Sequence, residues 1–238
     1  MIIRNFNDFV NALLDSGFSM GGGNNEGVFS VITFSWDEAP DYETPVRWHT
    51  GDLETDPWEW RMRVLDERND VAYSKVFFKK SGYITKEWYP YFLAARRMTN
   101  PLNGRMSFED EYKNGKISQY AKRIYKVVNE HERLPFHEIK QLAGFGKEEK
   151  SRFETALVEL QMKLFITICG RQQKISQTGM EYGWSSTVFT TTERFFGDEI
   201  FNIAANIPQQ EAVDKITVQI YKLNPAAEER KIMKFIKG

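Results

Sequence analysis

The 238-residue chain has little cysteine, little histidine and no long apolar run. Its one cysteine, Cys169, excludes an intramolecular disulfide and any zinc site built from several cysteines. The three histidines show no metal-binding spacing, and without a run of 18 apolar residues no membrane-spanning helix is predicted. The N-terminal segment has acidic residues and no basic lead into an apolar block, unlike a signal peptide. We therefore expect a cytoplasmic protein with no membrane partner and no metal.

The net charge of −1 hides an uneven distribution of charge along the chain. Residues 1–70 carry 14 acidic and 5 basic residues, whereas residues 71–126 carry 4 acidic and 12 basic residues. Such a separation can steer a polyanion to one face of a protein, unless folding intermixes the two signs. Aromatic residues are also concentrated, since 18 of the 34 lie in the first 92 positions. This indicates either a heavy aromatic core or an aromatic-walled pocket.

The first part of the chain is predicted to mix helices and strands. Apolar residues at helical spacing and β-branched or aromatic runs define the elements. These are a helix over 3–16, strands over 28–36 and 71–78, and a helix over 85–97 with Thr85 as N-cap. We assign residues 1–105 to an aromatic-rich α+β domain that has room for a degenerate winged unit.

The pattern is sharper from residue 116 onward. Three helices are followed by a strand, a polar twelve-residue loop and a second strand, which is the order of a winged helix-turn-helix. The first two predicted helices cover 117–131 and 135–144, the third carries an apolar stripe from Phe153 to Leu164, and the strands cover 164–169 and 182–190. We assign residues 116–192 to this unit and residues 193–238 to a C-terminal tail of one or two helices. The predicted fold class is α+β, helix-rich, with tandem winged helix-turn-helix units and short antiparallel β-hairpins.

Basic residues of the winged unit are placed where phosphate contacts are expected. In this fold the third helix enters the major groove and the wing touches the neighbouring backbone. The candidate DNA-binding residues are Lys147, Lys150 and Arg152 at the start of the third helix, and Arg171 and Lys174 in the wing. The alternative is a solvated surface, because Glu148, Glu149 and Glu154 share the same helix.

An acidic segment carries the candidate chemistry. Residues 52–60 contain four acidic residues and two tryptophans. If the segment is extended, Asp52 and Glu54 lie on one face. Paired carboxylates serve bond cleavage at a glycosidic carbon, and Trp58 and Trp60 are candidate walls of a base pocket. The alternative is a solvated acidic loop with a tryptophan anchor.

Residues 17–21 match G-x-S-x-G, the nucleophile elbow of serine hydrolases. That chemistry needs a buried strand before the serine and a helix after it. Here a predicted helix precedes Ser19 and a loop rich in glycine and asparagine follows it. We therefore interpret the segment as a glycine-rich helix exit.

Several strings in the second half of the chain share a pattern with a known family. They are Phe153, Ala156, Leu157 and Leu160 of the third helix, then Leu164–Phe165–Ile166, Arg171 at the wing, and residues 182–189 leading into Thr192–Glu193–Arg194. Upstream, Glu87–Trp88–Tyr89–Pro90 is followed by Ala94 and Ala95. Over residues 45–200 the chain resembles the AlkZ-type DNA glycosylases, which remove alkylated or crosslinked bases.

The resemblance implies a protein that binds double-stranded DNA and hydrolyses the N-glycosidic bond of a damaged base without a cofactor. The family's Gln-x-Gln or Gln-x-Asp motif is absent from the expected region, where Asp52–Leu53–Glu54–Thr55 is the nearest candidate. An ionised Asp only accepts hydrogen bonds, whereas Gln also donates them. The resemblance is therefore to a divergent member. The alternatives are a non-catalytic winged-helix DNA-binding or regulatory protein and, third, a protein-interaction scaffold.

Overall fold

The structure, a computed structural model, describes residues 2–97, 107–175 and 180–238. These residues form eleven helices and one six-stranded antiparallel sheet. The predicted mixed α+β class is confirmed. Residues 98–106, and residues 176–179 of the predicted wing loop, lie outside the described residues.

The first half of the chain alternates short helices and strands. Its elements are α1 (Phe6–Ser16), β1 (Phe18–Met20), α2 (Pro57–Glu67), β2 (Val71–Phe77), β3 (Lys80–Thr85) and α3 (Tyr89–Arg96). The side chain of Asn5 caps α1 by accepting the Asp8 N–H at 2.9 Å, and Gly17 ends the helix in the left-handed region. The predicted first helix is thus present, and it begins at Phe6, three residues later than the predicted start.

The second half contains the predicted three helices and two strands, and then more helix than expected. The first of these strands continues to Ile175, through half of the predicted twelve-residue loop. Its elements are α4 (Phe108–Lys113), α5 (Gln119–Glu130), β4 (Leu134–Pro135), α6 (Phe136–Leu142), α7 (Lys150–Met162), β5 (Ile166–Ile175) and β6 (Glu181–Thr191). The tail forms α8 (Thr192–Phe196), α9 (Glu199–Ala205), α10 (Gln209–Leu223) and α11 (Glu229–Lys237). Four helices therefore replace the one or two that were predicted after residue 192.

Two other predictions are wrong. Residues 28–36 form no strand, because hydroxyl groups take the place of ladder partners: the Ser19 Oγ accepts the Val31 N–H at 2.8 Å and the Ser30 Oγ donates to the Ile32 carbonyl at 2.6 Å. The helix predicted from residue 85 begins at Tyr89. Thr85 is instead the last residue of β3, where it pairs with Val71.

The sheet has the strand order β1-β3-β2-β5-β6-β4. Its two halves are β1-β3-β2 and β4-β6-β5. In each half, the strand that comes third in the sequence lies between the first and the second. The halves join where β2 pairs with β5, at Tyr73 and Ile168. The predicted division into 1–105, 116–192 and 193–238 stays a prediction, and the sheet connects the first two of these ranges.

Apolar side chains pack in two clusters on opposite faces of the sheet. At the start of β2 successive residues belong to different clusters, as the period of a strand requires: Val71 and Tyr73 pack in one and Ala72 in the other. The first cluster combines residues of both halves, such as Phe9 and Leu157. The second cluster is closed by the tail, where Phe235 stacks on Phe77 with ring centroids 3.7 Å apart.

Within the described ranges, no helix has both the length and the apolar character needed to cross a bilayer.

Candidate functional site

The two predicted pocket tryptophans have different environments. Trp58 lies in the first turn of α2 and keeps 42% of its surface exposed. Trp60 is fully buried, stacks on Phe9 with ring centroids 5.2 Å apart, and donates its indole N–H to the Leu53 carbonyl at 3.1 Å. The assignment of Trp60 to a base pocket is therefore corrected, because neither ring face is accessible. Trp60 anchors α2 to α1 instead.

A buried carboxylate shapes the loop that leads into α2. Asp56 is fully buried and accepts backbone N–H groups from His49 at 3.0 Å, Gly51 at 2.9 Å and Trp58 at 2.8 Å. The last of these is the N-cap bond of α2. His49 is held at a positive φ of 61°, which is uncommon for a residue with a side chain. Asp56 thereby fixes the positions of both His49 and Trp58.

The predicted catalytic carboxylates lie on the outside of this loop. Asp52 is exposed, and its Oδ1 accepts the Glu54 N–H at 2.8 Å. Glu54 is 59% exposed and pairs with Arg63 at 2.8 Å. The segment is a turn and not the expected extended run, because the Asp52 carbonyl accepts the N–H groups of Thr55 and Asp56. Neither carboxylate lines any of the cavities described below.

An aromatic pocket of about 190 Å³ lies beside α2. Three tryptophans contribute to its wall: Trp58, the half-buried Trp48 and Trp36, which is 70% exposed. Glycine is required at position 22, since a Cβ there would overlap the Trp48 ring. The Trp48 indole N–H donates to the Phe34 carbonyl at 3.3 Å, which fixes the ring. An aromatic-walled pocket, one of the two sequence interpretations, is present alongside an aromatic core.

Two side chains lie against Trp58. The guanidinium of Arg61 lies 3.2 Å from the centroid of the indole, and its Nε donates to the Trp58 carbonyl at 2.7 Å. The His49 ring is 4.7 Å from the indole at an interplanar angle of 53°. Arg61 therefore covers a ring face that a planar ligand would otherwise use.

Arg61 also separates the aromatic pocket from a larger groove. This central groove, of about 350 Å³, lies between α2 and α7 above the strand junction. Arg61, Tyr73 and Ser81 line both spaces. Gln161 is 2% exposed at the groove, accepts the Lys75 N–H at 3.0 Å and donates to the Leu157 carbonyl at 3.0 Å. The bond from Lys75 ties α7 to β2, and the bond to Leu157 lies within α7 and holds the Gln161 side chain in place.

The second hairpin reaches α2. Arg171 of β5 pairs with Glu59 of α2 at 3.3 Å, next in sequence to Trp58. The structure thus brings one predicted DNA-binding residue to the segment that carries the aromatic pocket. Lys174 lies in the same strand, opposite Tyr182, and its side chain is outside the described part of the chain.

The three other predicted basic residues lie at the start of α7, and all are exposed. Lys150 pairs with Glu154 at 3.8 Å, and the guanidinium of Arg152 lies 5.7 Å from the Tyr120 ring. Lys147 precedes the helix. The contacts of this group are with α5 and α7, whereas those of Arg171 are with α2.

Neither Ser19 nor Cys169 is placed to act as a nucleophile. Ser19 is fully buried in β1, where its Oγ donates to the Met20 carbonyl at 2.7 Å, so the G-x-S-x-G segment has no accessible nucleophile. Burial raises the pKa of the Cys169 thiol, which disfavours its reactive thiolate. Among the described residues no group of three His, Cys, Asp or Glu side chains could hold a metal ion.

Sequence reasoning missed Trp36, Trp48 and Arg61. Trp36 and Trp48 lie in loops and Arg61 lies in α2, so they are far apart in the sequence and no local spacing predicts that they meet. The one local signal is the run of glycines at positions 21–23, which permits close approach of a bulky ring.

Comparison with known proteins identifies a family and no individual relative. A family model described as AlkZ related matches residues 3–237. No curated protein and no solved structure gives a significant match. The matched range includes the aromatic pocket, the central groove and both hairpins.

Proposed function

The chain belongs to the AlkZ-related family, and from this premise we propose that it binds double-stranded DNA and releases an alkylated base by hydrolysis of its N-glycosidic bond. The observation that carries the proposal is the aromatic pocket beside α2, with the hairpin residue Arg171 bound to Glu59 of the same helix. A base-sized aromatic space next to a basic hairpin is what recognition of an extruded base requires.

The order of elements supports a winged helix-turn-helix over residues 119–191. Three helices precede the hairpin, β4 pairs with β6, and β6 pairs with β5. The first half has the same strand order, with α2 immediately before its hairpin as α7 is before the second. We interpret the first half as a degenerate winged unit in which the loop between β1 and α2 replaces the middle helix.

Docking of the duplex is assigned to phosphate contacts. The proposed contact residues are Lys147, Lys150, Arg152, Arg171 and Lys174. All are long cationic side chains at the start of α7 or in the second hairpin, where a winged unit meets the DNA backbone. Because such contacts release counterions, binding weakens steeply as salt rises.

Recognition of the base is assigned to the three tryptophans. Trp36 offers an exposed ring, and Trp48 and Trp58 close the sides of the pocket. A base that stacks on Trp58 displaces the Arg61 guanidinium, which is then free to pair with a phosphate of the same strand. An alkylated base costs less to extrude than a normal one, because its pairing is already weakened.

The identity of the group that assists base release is a separate question. Asp52 and Glu54 remain candidates from the sequence, but their exposed positions outside the pocket favour the second candidate function, a DNA-binding protein that recognises damage without catalysis. An alkylated base is already a good leaving group, so release needs only stabilisation of positive charge at the sugar.

The test compares an alkylated duplex with an undamaged duplex of the same sequence. Binding is measured by fluorescence anisotropy, and free base is measured by chromatography. The proposal expects tighter binding to the alkylated duplex and release of its base. Tighter binding with no free base assigns the non-catalytic function, and absence of binding to either duplex overturns both.

A further inference from the structure

The first hairpin is closed by an unusual turn. Phe77 pairs with Lys80, so that Phe78 and Lys79 form a two-residue connection between β2 and β3. Both have positive φ, of 52° and 62°. This geometry favours Asn-Gly, because side chains with a Cβ are strained in the left-handed region. Phe78 and Lys79 therefore occupy two positions where the backbone conformation is unfavourable for a residue with a side chain.

Aromatic packing holds the turn in this shape. Phe78 is half-buried, and its ring centroid lies 6.1 Å from that of Phe235 in α11. The adjacent Phe77 stacks on the same ring at 3.7 Å. The rings anchor the turn on the protein side, and Lys79 is exposed. Backbone strain that surrounding packing enforces is concentrated at functional positions.

The lysines of this hairpin each line a different cavity. Lys75 contributes to the central groove and Lys80 to the aromatic pocket. Lys79 contributes to a third cavity of about 500 Å³ between α7 and the C-terminal helix, where Lys163 and Lys237 also lie. The hairpin thus places a lysine beside each of the two grooves that flank α7, Lys75 from strand β2 and Lys79 from the tip.

The acidic residues near this third cavity have other partners. Glu159 accepts the N–H and Oγ–H of Ser118 at 2.8 and 2.7 Å, and Glu154 pairs with Lys150 at 3.8 Å. Lys163 pairs with Glu111 at 3.7 Å. Within the described ranges, Lys79 and Lys237 form no ion pair with a carboxylate at 4.0 Å or less, although Glu154 and Glu159 line the same cavity.

Beyond the basic residues at its start, the part of α7 that lines its two grooves is a poor surface for a polyanion. The exposed or half-exposed residues that line its two grooves include Glu154, Thr155 and Val158 and no basic residue until Lys163. A duplex that approaches α7 would therefore meet its favourable charges on the flanking elements. Lys79 and Lys237 flank the helix on the side of the third cavity.

We propose that the strained tip of the first hairpin, through Lys79 together with Lys237 of α11, binds the phosphate backbone of the DNA duplex that the second winged unit engages. This inference rests on the proposed DNA-binding function and adds a second contact surface to it. Lysine binds phosphate as a point charge, so it requires exposure and an open space, and both residues have these.

The decisive variant is Lys79→Gly combined with Lys237→Gln, because Gly removes the charge and also relieves the positive φ. The control is Lys222→Gln, an exposed lysine of α10 outside the described cavities. Anisotropy of a fluorescein-labelled duplex is measured over a range of salt concentrations. The slope of log K against log salt is negative, and loss of two phosphate contacts should make it less steep by about 1.8. Affinity near 0.1 M salt should fall about eightfold for each lost contact.

Thermal unfolding separates loss of binding from loss of fold. Lys79→Gly alone should keep or raise the Tm while it weakens binding. A double variant with unchanged affinity and slope, in a protein whose parent binds the duplex, overturns this inference and leaves the proposed function standing. A parent that does not bind the duplex at all overturns the proposed function itself.

Discussion

Replacement of Asp56 by Ala should loosen the loop that builds the aromatic pocket. Its carboxylate accepts three backbone N–H groups, from His49, Gly51 and Trp58, at 2.8 to 3.0 Å. The donors on His49 and Gly51 belong to exposed residues and can return to water, so each bond is worth about 1 kcal/mol, the net value of an ordinary hydrogen bond. The N-cap bond to Trp58 adds about 1 kcal/mol. The expected loss of unfolding free energy is about 3 kcal/mol.

Chemical denaturation measures this loss directly, and for a chain of this length it corresponds to a fall in Tm of about 6–12 °C. Asp56→Asn keeps one acceptor oxygen and should lose about half as much. Asp52→Ala is the matched control, because the Asp52 carboxylate is exposed and accepts one N–H, from Glu54. It should cost less than about 1 kcal/mol. Equal destabilisation by Asp56→Ala and Asp52→Ala would refute the role of the buried carboxylate in shaping the loop.

Four further changes test other parts of the structure. Leu157→Ala should cost about 2–5 kcal/mol in urea unfolding, because Leu157 is 3% exposed and leaves a cavity; a loss under 1 kcal/mol would contradict its core position. Gly22→Ala should displace the Trp48 ring and weaken binding of an alkylated duplex, whereas unchanged affinity would place the base elsewhere. Glu54→Gln tests the candidate catalytic role of Glu54: its pairing with Arg63 outside the pocket predicts base release near the parental level, whereas a hundredfold loss, about 2.7 kcal/mol, would identify Glu54 as the group that assists release. Cys169 should react slowly with a thiol reagent at neutral pH, because burial raises its pKa, and rapid labelling of the folded protein would contradict that burial.

Local patterns predicted the elements whose stability depends on local signals. The helices α5, α6 and α7 follow apolar spacing with a capping Ser118 at the start of α5, and the two strands of the second hairpin follow runs of β-branched and aromatic residues. The strand predicted over 28–36 does not form. Most of the apolar residues of this segment are buried, but its backbone does not pair in register with a neighbouring strand. The Val31 N–H bonds to the Ser19 side chain, and the carbonyls of Phe29 and Ile32 accept N–H groups from Met20 and Gly23, so no regular ladder forms.

The candidate site could be predicted only in part. The acidic and aromatic composition of residues 52–60 indicated the right segment, and Trp58 lines the pocket. The composition could not distinguish Trp58 from Trp60, because two positions, about half a turn of helix, separate an exposed ring from a completely buried one. Trp36 and Trp48 come from loops whose contact with α2 depends on the tertiary fold, so their role had no sequence signal of its own.

In the proposed function, the aromatic pocket receives an alkylated base for release from DNA. The most direct measurement is single-turnover release of that base from saturating duplex by the parent chain and by Trp36→Ala. Trp36 is 70% exposed, so the variant should keep its fold while it loses one stacking surface. Stacking worth about 1–3 kcal/mol predicts a fall in the release rate or in affinity of about 5- to 150-fold. Release and binding at the parental level in the folded variant would contradict the account.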